Sequence, residues 1–253
     1  MSKNVKNIVV VQKYNHPTSD GHQERLDAWR RTQERYATMP VVESDIYDEI
    51  GVYSKENKVV AEFVKGDCID SAIKLKKEGY NPLLLNMADW RYAGGLVDTG
   101  CPTQEEELFR RSNYFKLLQQ KYYPMKPFRT IVSKGVEFWL DGMYNEVLEK
   151  HFIDCVAAPA LCGPWTTPDL KNYLKEEDAD KMEKKIRMLF YAAERSGNDS
   201  VVLSAWGCGA YSCPIYGTAR LFKKVIDEGT PVKKILFAIT GNRFEPFVQA
   251  YLE

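Results

Sequence analysis

Three consecutive glutamates, Glu105, Glu106 and Glu107, open an apolar helical pattern directly behind a loop that carries Gly94, Gly95 and Gly100. Carboxyl groups move protons, and glycines let backbone N–H groups approach an anion closely. The strand-like run Pro82–Asn86 leads into this loop, and a helix is expected from about Thr103. Ligands of open α/β sheets bind beyond the carboxyl ends of strands, and a helix N-terminus adds a field that favours phosphate. A second segment, Leu203-Ser-Ala-Trp-Gly-Cys-Gly-Ala-Tyr-Ser-Cys-Pro, repeats the order of strand, Gly207 and Gly209, then helix. Two such loops at two strand ends can grip the two sides of a diphosphate. The residues alone therefore point to a phosphate-containing ligand beside a glutamate cluster. They also admit plainer readings. Gly-Gly pairs are common in turns, and Tyr211 fits an ordinary core aromatic. Thr103 and Glu106 have the spacing of a capping box, in which Glu106 would only satisfy an orphan N–H.

Helix geometry separates the three glutamates. Glu107 lies four residues before Arg111, an ion-pair spacing that places it toward solvent. Glu105 shares a face with Leu108 and Ser112, toward the sheet, and Glu106 lies between. Glu105 and Glu106 are thus the pair able to reach a ligand at the helix start. The helix terminus favours their charged forms, whereas the run of like charges and a nearby diphosphate disfavour them.

The elements that must position these groups are legible as short apolar runs. Strands are expected at Asn7–Val11, Val59–Lys65, Pro82–Asn86, Val136–Trp139, Phe152–Ala157, Val201–Leu203 and Ile235–Ile239. Helical stripes recur at Leu108, Ser112, Phe115 and Gln119, at Met182, Ile186, Leu189 and Ala193, and at Ile215, Ala219, Phe222 and Val225 or Ile226. The mixed charges of Lys171–Lys185 read as a solvated helix face and loop. Alternating strands and helices indicate an α/β sheet with helices on both sides. Asp20–Thr38 looks helical and Pro40–Asn57 looks like a surface connection. We therefore divide the chain into an N-terminal extension, 1–58, helical and packed on the domain, and a core, 59–253.

The 253 residues are enough for a sizeable core, and 44% hydrophobic with 28% charged residues excludes wholesale disorder. Lys plus Arg and Asp plus Glu each number 35, so no basic footprint favours non-specific duplex binding. The six cysteines form no C-x-x-C pair and read as free thiols in a reducing compartment. His16, His22 and His151 lack zinc-ligand spacing, so no metal is expected. No apolar run spans a bilayer and no secretory signal opens the chain, so an intracellular protein, cytoplasmic or nuclear and not membrane-bound, is expected.

The order Leu-Asn-x-Ala, Gly-Gly, eight residues, Gln-Glu-Glu-x-Leu-x-Arg-x-Ser resembles the bacterial-type poly(ADP-ribose) glycohydrolases, a branch of the macrodomain fold. Ala-Trp-Gly-Cys-Gly-Ala-Tyr at 205–211 matches the same family, and Ile131–Trp139 does so more loosely. The resemblance runs from about Val59 to Phe244. It implies a three-layer α/β/α macrodomain with a mixed sheet that binds ADP-ribose, on its own or on ADP-ribosylated macromolecules, and cleaves its O-glycosidic linkage without a cofactor. It implies Glu106 as catalytic acid and Glu105 as holder of the ribose hydroxyls, beside Gln104 of the same motif. Asn86 would contact the distal ribose. Ala93, Gly94 and Gly95 would form the first diphosphate loop, and Gly207, Cys208, Gly209, Ala210, Tyr211 and Ser212 the second, with Tyr211 near the scissile bond. Gly66 and Asp67 resemble the Gly-Asp whose aspartate binds the adenine amine.

Two departures touch the ligand. Tyr92-Ala93-Gly94-Gly95 stands where the family usually has Pro-Gly-Gly-Gly, and a positive φ at position 93 would make the methyl group costly by about 1 kcal/mol. Tyr211, Ser212 and Cys213 stand where Phe-Gly-Asn is usual. Adjacent glutamates also fit poorly the separated carboxylates of most glycosidases, so assistance from the substrate's diphosphate is expected. The competing function is a non-catalytic ADP-ribose reader, which has less need of both glutamates; a third is an interaction module that binds no nucleotide. Trp29, Trp90, Trp139, Trp165 and Tyr14 read as packing, with Trp90 close enough to the first loop to touch ligand. Phe244 reads as packing or an adenine stack. Arg91, Arg110 and Arg111 could draw an anion in.

Overall fold

The computed structural model describes residues 8–9 and 21–253. Tyr14 and His16 lie outside the described residues. The centre of the molecule is β4, Pro82–Asn86, buried along its whole length. A strand covered on both faces needs no polar alternation, and Pro-Leu-Leu-Leu-Asn shows none. Leu83 and Leu85 enter one core, and Leu84 the other. The same division holds in β7, Ser200–Leu203, and in β8, Lys234–Ala238.

The remaining strands are β1 (Ile8–Val9), β2 (Asp45–Tyr47), β3 (Glu62–Val64), β5 (Thr130–Leu140) and β6 (Glu146–Ala157). Together they make an eight-stranded sheet in the order β1-β3-β8-β7-β4-β6-β5-β2. Pairing is parallel from β1 through to β6 and antiparallel from β6 to β5 and from β5 to β2. Against one face pack α4 (Glu176–Ser196), α5 (Ile215–Asp227) and α6 (Phe244–Leu252). Against the other pack α2 (Cys68–Lys77), α3 (Gln104–Arg110) and Trp29 of α1 (His22–Arg35). This is the expected three-layer α/β/α arrangement with a mixed sheet. The stripes foreseen at Met182 to Ala193 and Ala219 to Ile226 are buried in the first core. Within the charged stretch Lys171–Lys185, the last residue departs from expectation. Lys185 is buried, its ammonium donating to the carbonyls of Pro127 and, at 3.0 Å, Pro159.

Two further expectations change. The stripe from Leu108 to Gln119 is not one helix: α3 stops at Arg110, and 3₁₀ turns follow at Tyr114–Lys116 and Gln120–Tyr122. The chain is captured by β5. Asn113 donates its N–H to the Glu137 carbonyl at 3.1 Å and accepts the Glu137 N–H on its side chain at 2.9 Å. The connection at 40–57 contains an edge strand, β2, whose Asp-Ile-Tyr pairs with β5. The segment before residue 59 therefore supplies both edges of the sheet, β1 and β2. Among the described residues no helix is long and apolar enough to cross a membrane, and all six cysteines are free thiols.

Candidate active site

The carboxyl ends of β4, β6, β7 and β8 meet at one cavity of about 370 Å³. Met87 and Asp89 reach it after β4, Ala160 after β6, Trp206 and Tyr211 after β7, and Thr240 and Arg243 after β8. The N-terminus of α3 closes it with Gln104, Glu105 and Glu106.

Gln104 works as a clip between helix and strand end. Its amide oxygen accepts from Met87 N at 2.9 Å, and its amide nitrogen donates to the Leu85 carbonyl at 2.7 Å. Glu105, buried, faces the sheet as its helix position required. It accepts from Asn86 Nδ2 and Gly94 N, each at 3.2 Å, and from Asp89 N at 2.6 Å. Burial pushes its carboxyl up to about 8 against the pull of these donors, and the neighbouring Glu106 charge adds to the rise.

Glu106 does not form the capping box. Thr103 makes no side-chain bond to the helix backbone. Its hydroxyl donates to Glu106 instead, and Glu106 Oε1 accepts from Leu96 N at 2.9 Å. The carboxylate is thus tied to the first glycine loop, facing the cavity. Gly95 is required there. Its φ is +57°, and a Cβ on it would lie 2.5 Å from Glu106 Oε1. The second loop has a matching point at Gly207, φ +76°, where a Cβ would sit 2.6 Å from Cys213 Sγ.

Glu107 corrects the expectation of a solvent-facing charge. It is buried, pairs with Arg110 at 2.7 Å and accepts the Tyr144 hydroxyl at 2.8 Å. The long β5–β6 hairpin and α1 cover that side of the helix, which sequence spacing cannot reveal. Arg110 and Arg111 are likewise buried, so neither draws a ligand in from solvent. Arg110 donates to the Cys101 carbonyl, and Arg111 pairs with Asp67 at 3.1 Å and Asp70 at 3.3 Å.

Of the other residues singled out from the sequence, Gly95, Gly207, Gly209, Ala210 and Tyr211 line the cavity. Asp67, Asn86, Ala93, Gly94, Cys208 and Ser212 do not. Asp67 caps α2, accepting from Ile69 N and Asp70 N at 2.9 and 3.0 Å, and also holds Arg111. Asn86 lies fully buried under Glu105. Ala93 is not among the residues with positive φ, so its methyl group carries no strain; Ser212 is, at +57°. Tyr211 joins the loops, its hydroxyl accepting from Trp90 N at 3.0 Å. Trp90 itself stacks with the Arg91 guanidinium, 4.5 Å from the ring centre, and Phe244 is buried in the core.

Sequence reading missed Asp89, Thr240 and Arg243. The available signal for the last two was their position just past the strand Ile235–Ile239, where ligands of such sheets bind. Among the described residues no group of three or more His, Cys, Asp or Glu side chains could hold a metal ion.

Residues 3–136 match the family described as microbial-type PARG, catalytic domain. No curated protein matches the chain. Among solved structures, the poly(ADP-ribose) glycohydrolase of Thermomonospora curvata superposes with a TM-score of 0.75 at 20% identity, covering 91% of this chain and 98% of that one. The same enzyme bound to the inhibitor ADP-HPD gives 0.70 at 20% identity, with the same coverage. The poly(ADP-ribose) glycohydrolase of Deinococcus radiodurans in complex with ADP-ribose gives 0.65 at 19% identity, covering 93% and 91%. At these identities the likeness concerns the fold, a macrodomain-like α/β/α sandwich.

Proposed function

Since this chain belongs to the microbial-type PARG catalytic-domain family, we propose that it is a glycosidase that cleaves the O-glycosidic linkage of poly- or mono-ADP-ribose, with Glu106 as the acid. One observation carries the reading: Glu105 and Glu106 sit side by side at the head of α3, both lining a cavity into which the second glycine loop also opens. The Deinococcus relative, solved with ADP-ribose, supports that ligand.

In this mechanism Glu105, clamped by its three N–H donors, hydrogen-bonds the ribose hydroxyls and orients the sugar. Glu106 gives its proton to the departing oxygen as the anomeric C–O bond breaks. The ribose passes through an oxocarbenium-like state, which the substrate's own diphosphate stabilises. Water then adds at the anomeric carbon and returns a proton to Glu106, closing the cycle. The substrate's charge does the work that a second, distant carboxylate does in most glycosidases.

The test pairs hydrolysis with binding. In Glu106→Gln, release of ADP-ribose from polymer and from modified protein should fall at least about 100-fold, while calorimetric affinity for ADP-ribose stays close to wild type. Near-normal turnover in that variant, with Glu105→Gln inactive, would move the acid to Glu105. Tight binding with no hydrolysis by the wild type would make the protein a reader.

A further inference from the structure

The first glycine loop has few N–H groups left for an anion. Ala93 N is given to Gln120 at 3.1 Å, Gly94 N to Glu105, Gly95 N to the Tyr92 carbonyl at 3.1 Å, and Leu96 N to Glu106. Two of the four hold the glutamates and two are taken by Gln120 and the loop's own backbone. In the second loop, the N–H groups of Gly209, Ala210 and Tyr211 have no partner among the described residues. Beside them stands Arg243, in the turn Gly241–Arg243 between β8 and α6. Its Nε donates to the Cys208 carbonyl at 2.9 Å, and its Nη2 lies 3.7 Å from where a Cβ on Gly209 would sit. Among the described residues no carboxylate pairs with it, and the acid nearest in sequence, Glu245, is held by Lys65 at 2.5 Å. The cavity lining carries the carboxyl groups of Asp89, Glu105 and Glu106, and Arg243 as its basic side chain.

A dianionic diphosphate entering a cavity lined by three acidic side chains is held by fixed positive charge close by. We propose that Arg243 is a substrate-binding residue that holds the diphosphate against the N–H groups of Gly209 to Tyr211, a role that rests on the ADP-ribose reading above. The Nε anchor fixes the plane of the guanidinium and leaves its terminal nitrogens to face the phosphate oxygens, the arrangement in which arginine binds such groups best. The ligand is then gripped chiefly from the second loop, while the first loop serves the acids.

Titration of ADP-ribose into wild type, R243K and R243Q at low and raised salt tests this, with thermal melting as the check on folding. R243Q should bind about tenfold or more weakly, whereas R243K, which keeps the charge but loses the Nε anchor and the paired terminal nitrogens, should fall between R243Q and wild type. Wild-type affinity should fall with salt more steeply than that of R243Q, because the lost interaction is the screened one. R243Q binding as tightly as wild type would overturn the inference. So would equal losses in R243K and R243Q with unchanged salt dependence, which would make the arginine only a peg for Cys208. Failure of the wild type to bind ADP-ribose at all would instead remove the functional reading on which this one stands.

Discussion

Glu105 is surrounded by N–H donors yet cut off from water, and the second circumstance wins: its carboxyl rises from an ordinary 4.5 to about 8. Ionising it is harder in the folded protein than in the unfolded chain. Its contribution to stability is therefore complete below about pH 4.5 and is lost as pH climbs through 8. The melting temperature should decline across that window in the wild type and decline less in Glu105→Gln. Equal slopes would assign the decline to other groups. Ser212 presents the opposite case, a residue whose backbone is strained by its type. It holds φ +57° where glycine is usual in the family it resembles. Ser212→Gly should raise unfolding free energy by about 0.5–1 kcal/mol, the left-handed penalty less the added freedom of the unfolded chain. Denaturant titration checks it. Ala93, the other departure from the motif, has no positive φ, so the condition for a cost there is not met. A motif shows where glycine is customary, whereas only the backbone shows where it is needed.

Among the elements, α1 is the brace for the first loop. Arg25 Nε donates to the Gly100 carbonyl at 2.6 Å, Trp29 Nε1 to Asp98 at 2.6 Å, and the Thr32 hydroxyl to the Arg110 carbonyl. The helix was visible in the sequence from its length and pattern, but its partners were not, because contacts about 70 residues apart leave no periodic trace. The short α3 and the strand β2 were hidden for a related reason. An apolar stripe reports which residues are buried, and Leu117 and Leu118 are buried without being helical. Between the two glycine loops the link is Tyr211, whose ring lines the cavity and whose hydroxyl meets Trp90 N. Tyr211→Phe keeps the ring and removes the tie. One hydrogen bond of about 1 kcal/mol should weaken ADP-ribose binding roughly fivefold with little change in kcat. A fall in kcat with unaltered affinity would place the hydroxyl in the chemistry instead.

The whole molecule is organised by its sheet, in which β4, β6, β7 and β8 end together at the cavity. The segment before residue 59 is woven into this sheet at both edges, through β1 on β3 and β2 on β5. It also supplies the α1 brace and the Tyr53 ring in the main core. Deleting residues 1–58 would expose two strand edges and leave Trp139 and Tyr144 without the cover of Ala28 and Tyr36. The shortened chain should show no cooperative thermal transition. A sharp transition by calorimetry would mean that 59–253 folds alone.

The linear order of residues was enough to determine the central strands, the two long helices of one layer, both glycine loops and the glutamate pair. Each of these depends on neighbours in the chain: apolar runs, periodic stripes, and glycines next to strand ends. Tertiary structure alone decided that Glu107 and Arg110 are buried with each other, that Asp67 is taken up by Arg111, and that Arg243 joins the cavity from a strand far along the chain. The physical reason is that the environment of a charge is set by what packs over it, and those groups arrive from other layers and distant loops.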